Sequence, residues 1–446
     1  MSALVSWLGR RRWPLTATAG LIVIGIATST WGATAAGRSA WALPDDLWRT
    51  LVAAQRLLDG NLGGLYTPPT ELVSFPGAAV MLVPVTAVID AAGLSLQLPG
   101  PQNPDPGVWL LAGPYEIAVA SLALFAADAI AERLGAGGAK RAVLAAAGAV
   151  ALWGITVRFG HPEDAVAVGL FLVGITALAE SRTGRSGWLI GTAVAVQPLV
   201  LLALPLVFMV VEPRRRTGFL ARAAVPGAVV LGAATAANWR ATIRAVTSQP
   251  NSAAVNHPTW WTPLAAHQGN GMVAAGPARA LAILAACGCA VAAGRRYRAA
   301  VRVAGWSPET LAGLVWWVAV ALALRSVFEP VMVAYYLWPV LAVTLVPAAR
   351  SWPRLVAASV TAAALTFAAQ LPWRDPWTWW LPMITGLALI LWLSRVRPGR
   401  GRAGMAASGR PGDAPAPGRR AADGAAVKTR PHVTPPAPGA YPARRR

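Results

Sequence analysis

Four short polar stretches interrupt an otherwise apolar chain, and each holds side chains able to move protons or grip anions. The first reads Pro44-Asp45-Asp46-Leu47-Trp48-Arg49. A carboxylate held beside lipid is a candidate proton acceptor. Asp45 and Asp46 are neighbours, so on a helix they face different sides. One is expected to cap the helix and the other to be left free. The second stretch, Arg158-Phe159-Gly160-His161-Pro162-Glu163-Asp164, packs three titratable groups into one turn between apolar runs. A charge in hydrocarbon is unfavourable by roughly 2.5–3.5 kcal/mol at a helix centre, and by less near the interface. Clustering there marks a site. The plainer reading is a helix start, with Pro162 in the first turn and both acids favoured by the helix dipole; the two readings are compatible. A metal site is not expected, because no second His follows at a ligand spacing.

The third stretch, 238–272, carries Asn238, Arg240, Arg244, Asn251, Asn256, His257, Trp260, Trp261, His267, Gln268 and Asn270. Tryptophans favour the membrane interface, although amides beside aromatic rings also suit a sugar. The fourth is Arg325-Ser326-Val327-Phe328-Glu329-Pro330, followed by Tyr335, Tyr336 and Trp338. Arg325 and Glu329 are four apart, so they are expected to pair on one helix face. The other reading of Arg325 is a planar fork facing a phosphate.

The elements that must position these residues are membrane helices. The chain is 56% hydrophobic and 13% charged, against about 25% charged in soluble domains. Apolar runs fall at 14–36, 75–95, 110–132, 142–157, 164–181, 187–211, 219–237, 273–294, 310–327, 331–348, 353–371 and 377–395. They are continuous, unlike barrel strands, and in lipid such runs become helices. The expected fold is all-α, a polytopic bundle of about ten to thirteen spans. Pro14–Gly37 is long for a signal peptide, which favours an uncleaved first span. Leu47, Leu51, Ala54, Leu57 and Leu58 recur at helical spacing, which predicts an amphipathic helix lying on the membrane surface.

Basic clusters at 10–12, 133–141, 182–185, 214–216, 295–302, 350–354 and after 395 belong inside. All four polar stretches then lie outside. The solution requires 187–211 to enter and return, broken at Gln197-Pro198, and gives 75–95 the same problem at Pro84. The expected organisation is a cytoplasmic N-terminus at 1–13, a membrane domain at 14–395 and a disordered basic tail at 396–446. That tail holds ten Arg, one Lys and two Asp, a net +9 of the chain's +21. Beside a membrane domain such a tail points to anionic lipid rather than to nucleic acid. Cys287 and Cys289 fall on different sides of one helix, so no disulfide is expected. No phosphate loop, HExxH or CxxC motif is present, which argues against an ATP-driven pump.

Several of these segments resemble the multispanning GT-C glycosyltransferases, most closely glycosyltransferase family 87, the polyprenol-phosphate-mannose-dependent mannosyltransferases. The resemblance rests on Asp46-Leu47-Trp48-Arg49, Leu57-Leu58-Asp59-Gly60, Leu65-Tyr66, Phe75-Pro76-Gly77 and Val83-Pro84. Gly160-His161-Pro162-Glu163-Asp164, Gly187 to Gly191 and Gln197-Pro198 to Leu204-Pro205 extend it. It covers about residues 15–350 and weakens after 220. Where the family often has two prolines this chain has Phe75-Pro76-Gly77, and Gln197 stands where a Lys is frequent.

The resemblance implies an active site on the outer face, a polyprenyl-phosphate sugar donor and a first-loop acid as base, here Asp46. The acceptor would be an envelope glycolipid or polysaccharide. Such chemistry needs a base for the acceptor hydroxyl and cations for the leaving phosphate, for which Arg240, Arg244, Arg325 and His257 are candidates. Asp45, His161, Glu163, Asp164 and Glu329 complete the candidate donor and acceptor site. Neither a cofactor nor a resident metal is implied. The alternatives are a transporter or flippase of lipid-linked or small polar substrates, or a membrane scaffold. A transporter tends to carry internal repeats, and none is visible here.

Overall fold

The computed structural model describes residues 2–35, 43–68, 70, 72, 74–96, 106–248, 251–253, 255–267, 271–274, 276–372 and 375–396. Gln268, Asn270 and the tail from 397 onward lie outside them. The apolar runs coincide with helices. The chain opens with α1 (Ser2–Arg10) and α2 (Arg12–Ala35), followed by α3 (Asp45–Leu58) and α4 (Pro76–Ala91). α5 (Pro106–Ala120) and α6 (Leu122–Arg133) run on into each other, and then come α7 (Gly138–Trp153), α8 (Pro162–Ala179), α9 (Thr183–Val196) and α10 (Leu204–Val210). α11 (Arg216–Ala237), α12 (Trp239–Ser248), α13 (Ala278–Ala304), α14 (Pro308–Phe328), α15 (Trp338–Ala348), α16 (Trp352–Ala368) and α17 (Leu381–Ser394) complete the bundle. Among the described residues, eight helical segments are long and apolar enough to cross a membrane, and three shorter apolar helices accompany them. The chain is a multi-pass, predominantly helical membrane protein. Among the described residues there are four two-residue strands: β1 (Asn251–Ser252), β2 (His257–Pro258), β3 (Met272–Val273) and β4 (Val331–Met332). β1 pairs with β3 and β2 with β4, both antiparallel.

Ion pairs gather several of the basic clusters at one end of the bundle. Arg11 and Arg141 both reach the buried Asp128, at 2.6 Å each. Arg133 pairs with Glu180 at the close of α8. Lys140 donates to the Arg350 carbonyl at 3.0 Å, and Arg350 pairs with Glu309 at 2.7 Å. His161 immediately precedes α8, so the helix's length of about 27 Å separates it from this basic end. The polar turns of interest therefore sit at the opposite end.

Two interrupted runs resolve differently. The run 187–211 is broken as expected: α9 stops at Gln197, whose backbone is extended (φ −149°, ψ 120°), and a 3-10 turn leads into α10. α9 pairs with α8 as a hairpin, so Gln197 comes back level with the start of α8. In contrast, Pro84 does not break 75–95, because α4 runs straight through it. Hydroxyls of Tyr115 and Thr86 donate to the carbonyls of Met81 and Leu82 in that turn, at 2.8 and 2.9 Å. The carbonyl that Pro84 leaves without its helical donor is that of Val80, and α4 keeps its helical path without that one bond.

α3 forms where its apolar spacing predicts, but the first part of its stripe is covered by protein, while Leu58 at its end is exposed. Leu47, Leu51 and Ala54 are fully buried with Leu82, Val85 and Ile89 of α4 and Trp109 of α5. The expected aspartate cap is also absent. The capping position is Pro44, with no side-chain bond, and both aspartates lie in the first turn. The third polar stretch is not all loop either, because α12 occupies its first third.

Candidate functional site

The site is built around the turn that joins α7 to α8. After Trp153 the helix widens into a π turn over Gly154–Arg158. The chain then reverses at Gly160, which has φ +67°. A side chain there would be strained, and its Cβ would also collide with Pro44 and Leu47 at the start of α3. The glycine thus lets α3 lie directly on the turn. As a consequence Asp46 meets His161: Asp46 Oδ2 is 2.9 Å from His161 Nε2. On its other edge His161 Nδ1 is 2.8 Å from Glu163 Oε1. Ser74, just before α4, donates its hydroxyl to the same Glu163 oxygen at 3.1 Å. Tyr335 stacks on the His161 ring, with centroids 4.1 Å apart.

A second acid lies beside the first group. Gln197, at the α9 break, donates to Asp164 Oδ1 at 2.7 Å and to Ser74 at 3.3 Å. Arg325 Nη1 stands 4.0 Å from Asp164 Oδ2, an ion pair too long for a hydrogen bond. The Arg325 guanidinium also lies over the Tyr336 ring, 3.8 Å from its centroid. α4 reaches this layer because Gly77 has no side chain: a Cβ there would overlap the backbone of Ala195 and Val196 in α9. Tyr66 fixes the approach from below by donating to the Ser74 carbonyl at 3.1 Å, and burial pushes its phenol well above its usual range.

Exposure grades steeply across the first group. The Asp46 side chain is 38% exposed, His161 3% and Glu163 1%. Burial alone would raise the Asp46 carboxyl. The hydrogen bond and charge of His161, and more weakly Arg49, outweigh it and hold the carboxyl below its ordinary 3.8. Burial would lower His161, but the charge of Glu163 and its bonds to Asp46 and Glu163 hold it well above 6.5. The group thus sets the His161 ring between two carboxyl groups, with Asp46 as its accessible end. Opposite charges at this spacing stabilise one another strongly away from water.

The remaining candidates are placed elsewhere. Asp45 is 68% exposed and pairs with Arg49 at 2.8 Å. Arg240 and Arg244 are exposed on α12, and Arg240 lies over its neighbour Trp239. His257 stacks flat on Trp379 with centroids 3.7 Å apart. The expected Arg325–Glu329 pair does not form. α14 ends at Phe328 and Glu329 is extended, so the four-residue spacing no longer places both on one face. Glu329 instead accepts from Arg279 of α13, with Nε 3.1 Å from Oε1.

No family model, curated protein or solved structure matches this chain. Among the described residues no group of three or more His, Cys, Asp and Glu is arranged to hold a metal ion. Sequence reasoning missed Ser74 and Arg279, and it named Tyr335 without giving it a place beside His161. Ser74 is neutral, and Arg279 finds its partner 50 positions away. The signal for Gln197 was present in the helix-breaking Gln197-Pro198 step.

Proposed function

We propose that this protein is a membrane glycosyltransferase. In this reading it moves a sugar, mannose by resemblance, from a polyprenyl-phosphate donor to an envelope glycolipid or polysaccharide acceptor. The observation that carries the reading is the convergence of Asp46, His161 and Glu163 with Asp164 and Arg325. These residues come from α3, the α7–α8 turn, the first turn of α8 and α14, and they meet at the end of the bundle away from the basic clusters. With the basic end cytoplasmic, as Lys and Arg prefer, the site faces the outside of the plasma membrane.

The chemistry assigns roles. Asp46 is ionised and part-exposed, so it accepts the proton of the attacking hydroxyl. Its low proton affinity suits a transfer completed late, once the new bond to the anomeric carbon has made the hydroxyl acidic. His161 orients Asp46 and Glu163 orients His161. Arg325, held by Tyr336, faces the leaving phosphate, whose charge a fixed guanidinium stabilises. Attack assisted by a single base inverts the anomeric carbon. Purified protein given a polyprenyl-phosphate sugar and an envelope glycolipid should form an elongated glycolipid. If mannosyl, glucosyl and arabinosyl donors all fail with a folded protein, the reading is wrong.

A further inference from the structure

Asp164 lies in the first turn of α8 and Arg325 in the last turn of α14. Asp164 Oδ2 and Arg325 Nη1 are both buried, and neither has a hydrogen-bond partner among the described residues. They are 4.0 Å apart, beyond the reach of a hydrogen bond. Both sides of the gap are held from behind. Gln197 fixes Asp164 through Oδ1 at 2.7 Å. The Tyr336 ring underlies the Arg325 guanidinium. Tyr336 is tied down in turn, because its carbonyl accepts from the Ser326 hydroxyl at 3.2 Å and its own hydroxyl accepts from Asn251 at 3.3 Å. Buried polar atoms are almost always paired, and leaving them unpaired is costly. The Arg325 side chain is 21% exposed, so a ligand can reach the pair.

We propose that Asp164 and Arg325 form a hydroxyl-reading subsite that takes the C2 hydroxyl of the donor sugar between Asp164 Oδ2 and Arg325 Nη1. The pair offers one acceptor and one donor, and the group that fits must both donate and accept. A phosphate oxygen accepts from Arg325 but is repelled by Asp164. An ammonium group donates to Asp164 but cannot accept from Arg325. A hydroxyl does both, and one oxygen about 2.8 Å from each atom closes a triangle on the 4.0 Å base. The inference rests on the transferase reading above, which sets the leaving phosphate at Arg325. That phosphate is carried on C1 of the sugar, so the C2 hydroxyl is the ring hydroxyl nearest to it. A guanidinium has five N–H donors, and a hydroxyl on Nη1 leaves others for the phosphate. Asp164 is then a specificity-determining residue, and Gln197 positions it by occupying Oδ1. Sites built around a substrate hydroxyl reject the analogue that lacks it by about 10⁴–10⁵-fold, because their buried polar groups are left unpaired.

Transfer by the full chain in lipid nanodiscs tests the assignment, with polyprenyl-phosphate mannose and its 2-deoxy and 4-deoxy analogues as donors. Loss of the electron-withdrawing C2 oxygen makes the 2-deoxy donor intrinsically the more reactive, so any preference for the parent measures recognition. In the wild type kcat/KM should favour the parent over the 2-deoxy donor by at least about 10²-fold, and by clearly more than over the 4-deoxy donor. In Asp164→Asn, Gln197 keeps the amide oxygen and the amide nitrogen takes the place of Oδ2, so the acceptor is lost. The parent-to-2-deoxy ratio should then fall below about tenfold. If Asp164→Asn does not fold, Arg325→Lys, which loses the fork, should shrink the ratio in the same way. Parity of the two donors in the wild type would mean that the pair holds only water, and overturns the proposal. So does a 4-deoxy penalty as large as the 2-deoxy one, or a wild-type ratio retained in a folded variant. A folded wild type that uses no sugar donor ends the transferase reading and this inference with it, whereas transfer at parity ends this inference alone.

Discussion

Asp46 and His161 are 115 positions apart in the chain, yet their side chains meet at 2.9 Å. The contact joins the first helix after the opening span to the turn before α8. It makes the more exposed of the two groups the one whose chemistry the buried group controls.

If Asp46 is the base, Asp46→Asn should lower sugar transfer by about 10²–10⁴-fold, the usual contribution of such a group. The fold should survive, because the amide keeps the size of the carboxyl and remains part-exposed. The thermal midpoint should move little while product formation by a radiolabelled donor assay falls. Asp45→Asn is the control. Its carboxyl faces solvent and Arg49, and transfer should stay within twofold. Full activity in Asp46→Asn would remove the mechanism.

The Asp46–His161 pair also sets a pH window for stability. The Asp46 carboxyl is lowered from 3.8, so its contribution is present above that value and lost as pH falls through the folded value. The His161 ring is raised from 6.5, so its contribution is complete below 6.5 and lost as pH rises through the folded value. Wild type should therefore lose stability on the alkaline side more steeply than His161→Gln, which has no proton to release. Thermal midpoints of both proteins between about pH 5 and 9 check this; parallel curves would contradict the assignment.

Gly160 should be intolerant of the smallest side chain. Alanine there occupies the left-handed region, at roughly 1–2 kcal/mol, and its methyl meets Pro44 and Leu47. Overpacking of that kind adds about 1–3 kcal/mol. Gly160→Ala should lower the thermal midpoint and, by displacing α3, reduce activity beyond the loss of folded protein. Gly227→Ala in α11 has open space around the new methyl and should not lower the midpoint, since alanine favours the helix.

Much of this arrangement was legible because lipid leaves a chain few options. Runs of apolar residues have to be helices, and acids such as Asp46 and Glu163 persist beside them only for a reason. The spacing Leu47, Leu51, Ala54 gave α3 its helix, but spacing does not say what covers a stripe, and α4 does so instead of lipid. Pro84 misled because it removes only one helical bond, and the packing of α4 against α3 and α5 keeps the helix running through it.

The partners of Glu329 separate sequence logic from tertiary logic most sharply. The four-residue spacing pairs Glu329 with Arg325, whereas the fold gives it to Arg279 and leaves Arg325 opposite Asp164. Double-mutant cycles on the thermal stability of the detergent-solubilised protein decide between them. Glu329→Gln with Arg279→Gln should show a coupling on the order of 1 kcal/mol, kept modest because Arg279 is 31% exposed. Glu329→Gln with Arg325→Gln should be close to additive. Asp164→Asn with Arg325→Gln should couple again, since removing either partner alone strands a buried charge. Coupling found only between Glu329 and Arg325 would mean that α14 continues past Phe328, and Arg325 would then be turned away from the acidic group that makes it useful.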